Sequence, residues 1–275
     1  MLTRAKRVLS GGVPTATALA LAAALATGCG SSGGSSSSTT AASTTSTAAG
    51  AAPSASKLAP IHGPYNPKID PANFVSKIDN KYFPLIPGTG FHYRGVQENG
   101  TTPQRDDMTV THKTKQILGV TATVVRDVVS VHGHPIEKTF DWYAQDKYGN
   151  VWYMGEDSRE IRNGKFVRVS DSWEGGVKGA KPGIIMPGNP RPGDQYRQEY
   201  YPHYALDQAK VLGSGGAVKV PQGSYPNSLK TSETAPTLDP GVNEEKYYVA
   251  GVGDVWEHTV AGNHEQIKLF SITHH

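Results

Sequence analysis

TFDWYAQDKYGNVWYMGED, residues Thr139 to Asp157, decides the fold. It holds two of the four Trp and three of the thirteen Tyr. Two β-favouring aromatic runs flank the turn signal Asp146-Lys147-Tyr148-Gly149-Asn150. On the first run Phe140, Trp142 and Ala144 share one face, and Asp141, Tyr143 and Gln145 the other. On the second, Val151 and Tyr153 share a face opposite Trp152 and Met154. The pattern predicts a β-hairpin with a Gly-containing loop of four to five residues. Aromatic side chains bury the most apolar area per residue, so this hairpin anchors the predicted core.

Short strand patterns run outward in both directions. Upstream lie Phe91–Glu98, Met108–Leu118 and the Val-rich Gly119–Val131, with a turn at His132-Gly133-His134-Pro135. Downstream, Glu160–Ser170 reads as a hairpin around Asn163-Gly164, the pair that favours a type I′ turn. Further strands are expected at Asp194–Tyr201, Ala205–Leu212, Ala217–Val220, Ser228–Glu233, Glu245–Val249, Gly253–Val260 and Gln266–Ile272. Asp70-Pro71 opens one short helix over about 71–79, with Asp as N-cap and Pro at the first helical position. The fold class is all-β: an antiparallel meander forming a curved half-barrel, barrel or sandwich, with the helix over one end. Between Gly175 and Gly193, ten of nineteen residues are Gly or Pro. This stretch reads as a long loop. Its Ile184, Ile185 and Met186 either cap the core or form a lid over an apolar cleft, with Lys178 and Lys181 placed to meet an anionic head group.

The chain begins differently. Arg4, Lys6 and Arg7 precede the apolar run Val13–Ala26, which is too short to span a bilayer comfortably. Residues 1–56 hold no acid, and the one cysteine is Cys29, so no disulfide can form within the chain. Without residues 1–28 the chain carries 24 basic and 24 acidic side chains, a formally neutral balance. Such a balance offers no bulk field for nucleic acid. Gly30–Ser56 contains fifteen Ser or Thr and no charge. It cannot bury enough apolar surface to fold. As a coil it reaches roughly 30 Å, and fully extended about 90 Å. The expected organisation is a leader over 1–28, a tether over 29–56 and one β domain over 57–275.

Leu25-Ala26-Thr27-Gly28-Cys29 resembles the lipobox of bacterial lipoproteins. The resemblance implies cleavage after Gly28, a covalent diacylglycerol thioether on Cys29 and a palmitate-type acylated amine. It also implies an extracytoplasmic domain held to the cell membrane by that anchor. The other reading is a secretory leader with an incidental cysteine. Three further blocks resemble a family of uncharacterised bacterial secreted proteins and lipoproteins: Asn80-Lys81-Tyr82-Phe83-Pro84-Leu85 with Pro87-Gly88-Thr89; Asp141 to Asp146 with Gly149 to Tyr153 and Gly155-Glu156; and Gly179 to Ile184 with Met186-Pro187. The Tyr82–Gly88 opening is also similar to TapB-type extracellular β proteins. These resemblances imply one extracytoplasmic β domain and no particular activity.

Three functions are carried forward. The first is a binding module for a hydrophobic small molecule or envelope lipid, its site lined by Trp142, Trp152, Tyr153, Tyr196, Lys181, Ile184, Ile185 and Met186. The second is a structural or interaction protein with an envelope protein as partner. The third is a hydrolase, using the carboxylates Asp141 and Glu156 or a metal on His132, His134 and Glu137. No cofactor is expected beyond the lipid on Cys29.

Overall fold

The computed structural model describes residues 53–274. The leader, Cys29 and the tether up to residue 52 lie outside them. Folding starts earlier than Lys57: a one-turn helix, α1 (Ala55–Leu58), buries Ala55, and Ser56 Oγ donates to Asp194 at 3.0 Å.

The N-cap at Asp70 forms as the sequence predicts, its carboxylate accepting from the Ala72 N–H at 3.0 Å. The helix it starts stops at Asn73, after a single 3₁₀ turn over Pro71–Asn73. Residues 74–79 do not continue it. Phe74 and Val75 instead form β1 (Phe74–Val75), and the Phe74 ring meets Trp152 edge-on at 6.4 Å. An apolar stripe of three residues cannot repay helix nucleation, whereas strand pairing with the aromatic hairpin is immediately available.

The strands then follow in order: β2 (Thr89–Val96), β3 (Pro103–Ile117), β4 (Val120–Val131), β5 (His134–Asp146) and β6 (Val151–Arg162). Next come β7 (Lys165–Arg168), β8 (Lys181–Met186), β9 (Gln195–Arg197), β10 (Glu199–Tyr200) and β11 (Gln208–Ser214). The last are β12 (Val218–Val220), β13 (Gly223–Tyr225), β14 (Leu229–Thr234), β15 (Asn243–Val249), β16 (Gly253–Ala261) and β17 (Gln266–His274). Strands β12 and β13 form a separate hairpin. All other strands belong to one antiparallel sheet, whose path runs β10-β8-β6-β5-β4-β3-β2-β17-β16-β15-β14-β11-β9. β1 adds to β5, and β7 to β6.

The two ends of that path are neighbours in sequence. β9 pairs with β11 and β10 pairs with β8, with only Gln198 between them. One extended segment therefore joins both edges, and the sheet curls into a nearly closed barrel. Closure removes the exposed strand edges that an open sheet would present. The segment from Ala59 to Tyr65 seals the seam: the Ala59 carbonyl accepts from Arg197 N–H at 2.8 Å, and the Arg197 guanidinium donates to the Pro60 and Ile61 carbonyls.

The predicted Gly175–Gly193 loop contains a strand. Ile184, Ile185 and Met186 are fully buried in β8. Gly183 sits where a Cβ would come within 2.4 Å of the Gln198 carbonyl oxygen. The glycine reads as a loop signal, yet here it admits the backbone of the closing segment.

Candidate functional site

The central hairpin has its predicted turn, Lys147–Asn150, between β5 and β6. Asp146 organises it by accepting from the Tyr148 and Asn150 N–H groups, the Asn150 amide and the Trp152 indole. The hairpin departs from simple alternation at one place. Trp142 lies opposite Gly155 and Tyr143 opposite Tyr153, so Met154 is an extra residue. Gly155 has φ +138°, and any Cβ there would lie 2.5 Å from the Trp173 carbonyl. The bulge moves Glu156 onto the face of Tyr153 and Asp141, which strict period two would forbid.

On that face the Tyr153 hydroxyl contacts Asp141 Oδ1 at 2.6 Å and Glu156 Oε2 at 2.9 Å. A phenol has one proton to donate. Both contacts are satisfied when one carboxyl is protonated and donates to the phenol oxygen. Burial, then the neighbouring Glu156 and Asp127, push Asp141 up to about 8, partly offset by the Tyr153 hydrogen bond. The pair thus shares a proton at neutral pH. It is sealed, with Asp141 7 % and Glu156 3 % exposed and Trp173 packed edge-on over Tyr153 at 5.3 Å. This burial leaves no approach for the substrate of a hydrolase.

Buried charge recurs beyond this pair. Twelve carboxyl side chains and two cations, Arg197 and Lys246, are buried among the described residues. Lys246 stands between Glu233 at 3.4 Å and Glu257 at 3.2 Å. Nearby Glu244 is pushed up to about 8 by burial, against the pull of Lys246. Asp141 and Glu244 therefore bind protons in the folded state that the unfolded chain releases above its ordinary values of 3.8 and 4.5. Stability is expected to be greatest in acid and to fall as pH rises from about 4 to 8. Urea midpoints at about pH 5 and about pH 9 should differ accordingly, and the double variant Asp141→Asn/Glu244→Gln should flatten the difference.

The open site lies outside these buried groups. Ser172 Oγ accepts from the Ser158 N–H and donates to the Ser158 carbonyl, and the Trp173 carbonyl accepts from the Glu156 N–H at 2.8 Å. These bonds lay residues 172–174 along β6. The Trp173 indole donates to Glu199 at 2.8 Å, fixing its ring. Above it opens a cleft of about 340 Å³ whose walls include Arg168, Trp173, Val177, Lys178, Tyr201 and Tyr204. The rings of Tyr201 and Tyr204 stack at 4.7 Å, and Tyr204 is 42 % exposed. Glu174 also lines the cleft, but Lys115 neutralises it at 2.7 Å. Apolar and aromatic side chains, Lys178, and an Arg168 that shares Asp157 with Arg159 suit an amphipathic anion.

Of the residues expected to line a pocket, Trp142, Trp152, Tyr153, Tyr196, Ile184, Ile185 and Met186 are buried core residues. Lys181 is half-buried and donates to the Tyr65 carbonyl. None of the eight is among the cleft residues; Lys178, marked for an anionic head group, is. His132 and His134 are exposed around the β4–β5 turn, and Glu137 accepts from Thr139. Among the described residues no group of three or more His, Cys, Asp or Glu is arranged to hold a metal ion. Arg168, Trp173 and Tyr204 carried no sequence signal, because the segments holding them meet only once the barrel closes.

No family model matches the chain, and the search of curated proteins returns no match. Among solved structures, the chain is similar to a candidate exported protein with a YmcC-like fold from Bacteroides fragilis NCTC 9343. That similarity has a TM-score of 0.41 and 11 % identity, over 70 % of this chain and 98 % of the other. It is also similar to a candidate lipoprotein from Parabacteroides distasonis ATCC 8503, with a TM-score of 0.38 and 9 % identity, over 71 % of this chain and 100 % of the other.

Proposed function

We propose that this protein is a lipid-anchored, extracytoplasmic binding module that takes an amphipathic anionic ligand from the cell envelope. The cleft beside Trp173 carries this reading: it is the place where aromatic walls, an exposed Tyr and the cations Arg168 and Lys178 converge. The charged head of the ligand meets Arg168 and Lys178, and its apolar part lies on Val177 and the Tyr201–Tyr204 stack. The leader and Cys29 support the location.

Dansyl-undecanoate is a suitable probe, since it joins a carboxylate to an apolar chain. Wild-type protein should bind it saturably, and the double variant Arg168→Ala/Tyr204→Ala should bind at least about tenfold more weakly, equivalent to about 1.4 kcal/mol. Absence of saturable binding to the wild type, or equal binding by the variant, contradicts the reading.

A further inference from the structure

We propose that the outward face of β4–β7 is a docking surface for an anionic phospholipid bilayer, an inference that rests on the lipid-anchor reading above. The register places the residues. Arg126 lies opposite Phe140, and Phe140 opposite Asp157. Val128 lies opposite Lys138, Lys138 opposite Arg159, and Arg159 opposite Arg168. Ile161 and Phe166 form the last pair. Side chains directly opposite each other share a face, so these rows make one surface.

That surface has a distinctive chemistry. Its charged side chains are Arg126, Lys138, Arg159, Arg168 and the single acid Asp157. Asp157 is bound by both Arg159 and Arg168, at 2.8 and 2.9 Å. One carboxylate cannot neutralise two guanidinium groups, so the patch keeps a formal excess of three positive charges. Ile161 is 41 % and Phe166 40 % exposed at its outer end. Among the described residues β7 pairs with β6 alone, so this end is a sheet edge. A basic field beside exposed Ile and Phe matches a layer of anionic head groups above acyl chains.

The tether makes the encounter frequent. Between Cys29 and Pro53 lie 23 residues, which span at most about 80 Å in any conformation. On the lipid-anchor reading the domain therefore stays within about 80 Å of the bilayer, where weak contacts act at high effective concentration. Arg168 belongs both to this face and to the cleft, so docking brings the cleft mouth to the lipid surface.

The test uses the chain from residue 29 onward with Cys29→Ser, which has no acyl anchor. It is sedimented with sucrose-loaded vesicles of phosphatidylcholine alone or with about 30 % phosphatidylglycerol. Binding to the anionic vesicles, its loss at high salt and little binding to neutral ones are expected. Arg159→Glu/Arg168→Glu should reduce binding at least about tenfold, given about fivefold per basic side chain at such a surface. Should that variant misfold by circular dichroism, Arg126→Gln/Lys138→Gln gives the same reading without the Asp157 bridge. Equal binding to both vesicle types, or full binding by the folded variants, overturns the proposal. So does self-association that Phe166→Ser abolishes, without vesicle binding. The intact mass of membrane-extracted protein reports the Cys29 lipid separately, so failure of the anchor and failure of the surface are distinguishable.

Discussion

Lys246→Ala is expected to cost about 3–5 kcal/mol of folding stability, because it leaves buried carboxylates without their cation. Lys246 is fully buried at the centre of the interior network, and burial alone would pull its pKa down. The carboxylates of Glu233, Glu257, Glu244 and Asp254 outweigh that pull and hold it well above its ordinary value. Glu233 also accepts from Gln198 at 2.9 Å, Thr231 at 2.8 Å and Tyr248 at 3.1 Å. Removing the ammonium thus disturbs strands β14, β15 and β16 together with the closing segment. The triple variant Lys246→Met/Glu233→Gln/Glu257→Gln should recover more than half of the loss, since a neutral set no longer needs a cation. Urea unfolding followed by circular dichroism measures both.

The second large effect is expected at the seam. Gly183→Ala places a methyl group 2.4 Å from the Gln198 carbonyl oxygen and 2.7 Å from that of Arg197. Both obstacles are backbone atoms, so no rotamer relieves the clash. The closing segment must move, at about 3 kcal/mol, the upper end of ordinary overpacking. Gly193→Ala is the control. Its added Cβ would meet nothing within 4 Å, although φ is +90°, so the left-handed backbone alone should cost about 1–2 kcal/mol. Hydrogen exchange should also accelerate at the amides of residues 195–200 in the Gly183 variant and not in the control.

The contrast between these glycines shows what the sequence can and cannot reveal. Asn163-Gly164 and Gly149 mark turns where local turn chemistry says they should. Gly183 has the same appearance, but its reason lies in the backbone of a segment fifteen residues away. The same limit hid the site. Alternation along β5 correctly paired the faces of Asp141 and Tyr143, whereas the bulge at Met154–Gly155 turned Glu156 to the face that counting by twos denied it. Apolar strength in the aromatic hairpin was legible, and it identified the core. It could not identify the cleft, whose walls are polar-flanked connections brought together by closure. Lys178 was visible in advance, because a lysine amid Gly, Pro and Ile stands out without tertiary information.

The position of the ligand is the point on which the functional account turns. Protein labelled with 5-fluorotryptophan should give four fluorine resonances, one for each of Trp142, Trp152, Trp173 and Trp256. Titration with dansyl-undecanoate is expected to shift the Trp173 resonance and to leave Trp142 and Trp152 in place. Shifts at Trp142 or Trp152 with Trp173 unmoved would put the ligand inside the core and contradict the account.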